Sequence, residues 1–249
     1  MNKFHSQRLL LGGKLEEEII QFLEKLNLLV INTSFLKMTL QQNINVDYWN
    51  TDKAKKITPL VMLRWLPDLL VIDKEQDKGI FIDIKLMYTP IYFDTLTKQI
   101  EETLGEPIEF QDIGNIEREA YDSYENWTKT GAKVATLILS TYSKEFILCD
   151  YVNKLEVLYR DERERNYSSS GSTTPRVNIH LGKLNGLKSF LEDFFGYDLK
   201  EKEFIDLSKK LQEDFNFIGV PRIVNRKKAE EVRDKIQKII NREIVLFDI

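Results

Sequence analysis

The 249-residue chain contains one cysteine, Cys149, and two histidines, His5 and His180. A single cysteine excludes an internal disulfide framework and any cysteine-rich zinc module. Two histidines leave little from which to build a histidine-based zinc site or a Ser-His-Asp triad, so carboxylates and lysines are the groups left to carry chemistry. Bulk positive charge is also missing. Lys and Arg number 36 against 40 Asp and Glu, for a net charge of −4, which argues against coating nucleic acid by overall charge and leaves room only for a local basic groove. The N-terminal apolar run, Leu9-Leu10-Leu11, is too short for a signal-peptide core or a membrane span. The expectation is therefore a cytoplasmic protein, at the nucleoid in a bacterium or archaeon, with no membrane and no disulfide partner. Cys149 reads as a small buried hydrophobe at the end of Phe146-Ile147-Leu148.

What the chain does have is a globular mixture of 42% hydrophobic and 31% charged residues. Leu15, Ile19, Ile20, Phe22, Leu23 and Leu26 follow the Gly12-Gly13 pair at helical spacing, predicting a helix that starts after the glycines. A strand is expected at Leu28–Ile31. Two apolar runs, Leu69–Ile72 and Ile80–Ile84, flank a polar, glycine-terminated tip and read as a hairpin. Helices are predicted near Thr95–Leu104 and over Ile113–Thr128, then strands at Lys133–Thr141, Glu145–Cys149 and Val177–Leu181. Arg160 to Arg176, charged and then rich in Ser and Thr, reads as a mobile loop. Helices at Lys183–Phe195, Glu201–Phe215 and Lys227–Arg242 complete the chain. This order predicts an α/β core over residues 1–195 and a helical C-terminal extension, 196–249, packed on it.

The candidate chemistry lies in the hairpin. Pro67-Asp68 stands at one end, and Asp83-Ile84-Lys85 follows about fifteen residues later. Alternation along a strand puts Asp83 and Lys85 on one face and Ile84 on the other. With the turn centred near Gln76, Asp68 falls opposite Asp83 or Ile84. Two close carboxylates drive one of them to protonate unless a cation intervenes, and Mg²⁺ favours such oxygen ligands. Glu16, at the edge of the first helix's apolar face, is a third candidate. The plain readings are a turn residue for Asp68, a surface ion pair for Asp83 with Lys85, and helix N-terminal acidity for Glu16.

Glu16, Asp68, Asp83 and Lys85, in that order and context, resemble the PD-(D/E)xK nuclease superfamily. Gly12-Gly13-Lys14-Leu15-Glu16 is similar to the opening helix of archaeal-type Holliday junction resolvases. Glu117 and Tyr121 are faintly similar to the Gln-xxx-Tyr helix of RecB-like exonucleases, with Glu in place of Gln. The resemblance implies a restriction-endonuclease-like fold, with a mixed sheet flanked by helices, and metal-dependent hydrolysis of DNA phosphodiesters. In that scheme Asp68, Asp83 and the Ile84 carbonyl hold Mg²⁺, with Mn²⁺ able to substitute. Glu16 serves the outer shell or a second ion, and Lys85 orients water or stabilises charge. Many such enzymes act as homodimers, so a second copy is an expected partner beside DNA. The segments 41–56 and beyond about 150 depart from the small resolvases, leaving a restriction enzyme, an end-processing exonuclease or a non-catalytic DNA-binding subunit as alternatives. Phosphate contacts are expected from Arg64 and from the basic cluster Arg222, Arg226, Lys227 and Lys228.

Overall fold

The computed structural model describes residues 3–33, 65–87, 95–163, 166–168, 171–217, 222, 223 and 225–240. Arg64 and the segment 41–56 lie outside the described residues. Helix α1 (Lys3–Lys25) precedes strand β1 (Leu29–Asn32), and β2 (Leu69–Asp73) and β3 (Lys78–Met87) form the hairpin. Next come α2 (Thr95–Leu104), β4 (Ile113–Glu117), α3 (Arg118–Lys129), β5 (Val134–Ser140), β6 (Ile147–Tyr151) and β7 (Val157–Arg160). A small hairpin, β8 (Asn166–Ser168) and β9 (Gly171–Thr173), leads to β10 (Arg176–His180) and β11 (Asn185–Gly186). Helices α4 (Leu187–Phe195), α5 (Glu201–Phe217) and α6 (Arg226–Ile240) follow.

The fold is α/β, with a mixed six-stranded sheet in the order β1-β2-β3-β5-β6-β11 and helices on its faces. Only β3 and β5 run parallel; the other neighbours in this sheet are antiparallel. Every residue of β5 is buried, as expected of a central strand covered on both sides. Odd-numbered residues of β3 face α3, where Phe81 meets Trp127 with ring centroids 6.0 Å apart. Even-numbered residues face α1, and Leu86 lies beside Gly12.

α1 does not stop at the glycines. It runs unbroken from Lys3 through Gly12-Gly13 to Lys25, with Leu11, Leu15, Ile19 and Leu23 buried in the core. Each helical glycine costs about 1 kcal/mol relative to alanine, a penalty that burial of such an apolar stripe outweighs.

A second sheet, β4-β10-β7, was not foreseen in the sequence. The predicted helix Ile113–Thr128 is corrected accordingly: Ile113–Glu117 is a strand paired antiparallel with β10, and the helix begins at Arg118. Gly114 permits the strand, since a Cβ there would come within 2.5 Å of Leu181. In the stretch 160–176, expected to be a mobile loop, the described residues include β8 and β9; Arg160 meets Asp122 at 2.6 Å, and Arg163 binds the buried Asp161 carboxylate at 2.7 Å. The Arg163 hydrogen bonds hold that carboxyl below the ordinary range.

The C-terminal helices share the main core. Phe204, Leu207, Leu211 and Phe215 of α5, and Ala229 and Val232 of α6, belong to the same buried cluster as α1 and the sheet. Phe22 and Phe204 pack edge to face at 4.9 Å, while Lys14 pairs with Asp214 and Lys210 with Glu18.

Candidate active site

The hairpin register pairs Leu69 with Ile82, which carries Asp68 to a place opposite Asp83. Asp68 Oδ2 accepts a hydrogen bond from the Ile84 amide at 2.9 Å. Its own backbone is pinned from the other side: the Thr33 amide donates to the Asp68 carbonyl at 2.8 Å, and the Thr33 hydroxyl donates to the Pro67 carbonyl. The pre-proline segment is thereby held at the mouth of β2, with Asp68 half-buried.

Asp83 is 1% exposed. Its Oδ1 accepts the Tyr124 hydroxyl at 2.5 Å, and Lys85 Nζ stands 2.6 Å from Oδ2. That second contact is an ion pair made by a buried oxygen. Burial pushes the Asp83 carboxyl up to about 6, against the pull of Lys85 and with help from the Asp68 charge. Burial draws the Lys85 ammonium down, but Asp83, Asp68 and Glu117 together outweigh it, so Lys85 remains charged. Burial and the neighbouring Asp83 raise the Tyr124 phenol well above its ordinary value, keeping it a donor.

Glu16 stands apart from this pair. It projects from α1, and its Oε1 accepts a hydrogen bond from Asn32 at 2.6 Å, beside the Thr33 that pins Asp68. It shares an end of the sheet with Asp68, but no group of three or more Asp, Glu, His or Cys among the described residues is close enough to hold one ion. Tyr121, the other half of the faint helix motif, is not at Asp83; burial and Glu125 raise its phenol to about 12. The tyrosine that reaches the site is Tyr124, hidden in the sequence because its spacing with Ile116 and Ala120 reads as an apolar helix stripe. Glu117, at the end of β4, acts on Lys85 and Tyr124 through its charge.

Arg222, expected on phosphate, is engaged by the chain's own backbone. Its guanidinium donates to the carbonyls of Ser140 and Ser143 at 2.6 Å and Lys144 at 3.0 Å, and it lies over the Phe146 ring. Lys228 donates its amide to Asn225 Oδ1 at the start of α6 and its ammonium to Glu231. Lys227 is exposed, and the Arg226 side chain lies outside the described residues.

No family model and no curated protein matches this sequence. Among solved structures, the chain is similar to Archaeoglobus fulgidus Hjc, a Holliday junction resolvase from an archaeal hyperthermophile. The similarity covers 76% of this chain and 98% of that one, with a TM-score of 0.38 and 9% identity. What the site does has to be argued from its own side chains.

Those side chains suit a hard cation. Asp83 Oδ2 is a buried carboxylate oxygen turned to the Lys85 ammonium rather than to Tyr124, and Asp68 and the Ile84 carbonyl supply further oxygens at the same hairpin end. Mg²⁺ needs only one or two carboxylates when substrate oxygens and water complete its shell, so the absence of a three-residue cluster does not conflict with it. Among the described residues, no helix is long and apolar enough to cross a membrane.

Proposed function

We propose that this chain is a divalent-metal-dependent DNA endonuclease that hydrolyses phosphodiester bonds. The observation that carries the reading is the Asp83–Lys85 pair, 2.6 Å apart on a central strand, with Asp68 fixed opposite by the Ile84 amide. An aspartate with 1% exposure between Ile82 and Ile84 is costly for stability alone, and a functional charge accounts for it.

Asp68, Asp83 and the Ile84 carbonyl would hold Mg²⁺ or Mn²⁺, with Glu16 at the outer edge. The cation, when bound, polarises the scissile phosphate and acidifies water. Lys85, 27% exposed at its side chain, receives the phosphate and offsets charge developing on its oxygens. Glu117 and Asp83 keep that ammonium protonated throughout. A junction-like, branched substrate is the proposed preference, with cut duplex sites and DNA ends as the rival substrates. Lys227 and Lys228 are proposed as peripheral phosphate contacts, and a homodimer as the working unit.

The test is cleavage of a four-way junction, linear duplex, flap, single strand and supercoiled plasmid in Mg²⁺, Mn²⁺ or EDTA, with wild type beside Asp83→Ala. Metal-dependent cutting that Asp83→Ala abolishes supports the reading, and the preferred substrate identifies the subclass. Cutting that survives Asp83→Ala, or no cutting of any substrate, overturns it. DNA retention without cutting would favour a binding subunit that keeps the fold, a reading supported by the burial of Asp83 beneath Lys85.

A further inference from the structure

We infer that Tyr124 is a positioning residue for the cation-binding carboxylate, a role that rests on the hydrolase reading above. A carboxylate on a strand rotates freely enough to offer either oxygen. Here the Tyr124 O–H, at 2.5 Å from Oδ1, fixes which oxygen is left over. The remaining one, Oδ2, is turned to the Lys85 ammonium at 2.6 Å.

The tyrosine is itself immobilised. Its side chain is 1% exposed, and α3 is anchored on the same sheet face by Trp127 against Phe81. Lys85 Nζ lies 5.9 Å from the Tyr124 ring centroid, so one ring borders both charged groups of the site. A role in stability alone would have been met by phenylalanine on this apolar stripe; the hydroxyl has no hydrogen-bond acceptor shown for it other than Asp83. Outer groups of this kind, which orient a ligand without touching the ion, typically govern 10- to 100-fold in metal affinity.

The test is Mn²⁺ binding by calorimetry to the full chain, comparing wild type, Tyr124→Phe and Asp83→Ala. Asp83-dependent binding in wild type, weakened about 10- to 100-fold in Tyr124→Phe, is the expected result. Cleavage by Tyr124→Phe should then fall at low Mg²⁺ and recover as Mg²⁺ is raised, which a merely structural role would not produce. Tyr124→Phe affinity within twofold of an Asp83-dependent wild type overturns the positioning role alone. Wild-type binding that ignores Asp83, or no binding, overturns the hydrolase reading and this inference with it. Should Tyr124→Phe fail to fold, NMR of the unaltered chain carrying ¹³Cζ-tyrosine decides: Mn²⁺ broadens the Tyr124 resonance if it borders the ion, and an unbroadened resonance overturns the role.

Discussion

Replacing Asp83 by Asn should stabilise the metal-free protein while destroying its proposed activity. The carboxyl titrates at about 6 in the folded chain against 3.8 ordinarily, because burial disfavours its charged form more than Lys85 supports it. An acid whose value is raised on folding contributes stability that is fully present below pH 3.8 and lost as pH rises through 6. The interval corresponds to about 3 kcal/mol at ~1.36 kcal/mol per pH unit. Asn carries no such charge, and its Oδ1 keeps the Tyr124 hydrogen bond. The attraction of Lys85 is already contained in that value, so its loss is not subtracted again. The net expectation at pH 8 is about 3 kcal/mol in favour of Asp83→Asn, or roughly 6–12 °C in Tm for a domain of this size. Calorimetric melting of both proteins in EDTA at pH 4, 5, 6, 7 and 8 gives the measurement. The two curves should converge towards pH 4, separate between 4 and 6, and run parallel above 6. An Asn variant that melts below wild type at pH 8 refutes the reasoning, because it would mean that the ion pair outweighs the cost of burying the charge.

Arg222→Ala removes donors to three carbonyls of the β5–β6 connection and should cost about 2–3 kcal/mol in urea unfolding; a cost under 0.5 kcal/mol would deny that hold on the backbone. Phe204→Ala should cost about 3–5 kcal/mol and leave a single unfolding transition, since α5 shares the core of the sheet; two separated transitions would show an independent extension. Gly12→Ala should stabilise by ~0.5–1 kcal/mol, because Leu86, 3.9 Å away, tolerates the new Cβ. Gly196→Ala should destabilise by about 1 kcal/mol, because φ there is +77° at the end of α4; equal effects from the two glycines would contradict both arguments.

The hairpin was readable because its signals are local. Alternating apolar residues and a polar tip set the register, and the register set Asp68 against Asp83. Tyr124 was not readable as a site residue, since a buried aromatic at helical spacing looks the same whether its hydroxyl meets a carboxylate or nothing. The strand Ile113–Glu117 was hidden for a related reason: Ile116 and Ala120, four apart, extend the helical period of α3 backwards, and only pairing with β10 overrides it. The hold of Arg222 on the carbonyls of Ser140, Ser143 and Lys144 was not legible either, since basic residues clustered in sequence look the same whether they face phosphate or backbone. The Gly12-Gly13 pair was read as punctuation on propensity alone, and tertiary burial of the flanking leucines outweighs it.

The clasp between α1 and α5 governs when this protein becomes whole. Lys14 meets Asp214 across 200 positions of chain, and Phe22 meets Phe204 across nearly as many. The β2–β3 hairpin, by contrast, joins residues about fifteen apart and can close within microseconds. On the ribosome the hairpin is therefore expected to emerge and pair early, while the edge of α1 that carries Phe22 waits for α5. Nascent and truncated forms that stop after α4 would present Phe22 and its neighbours to solvent, a surface suited to chaperones and prone to aggregation.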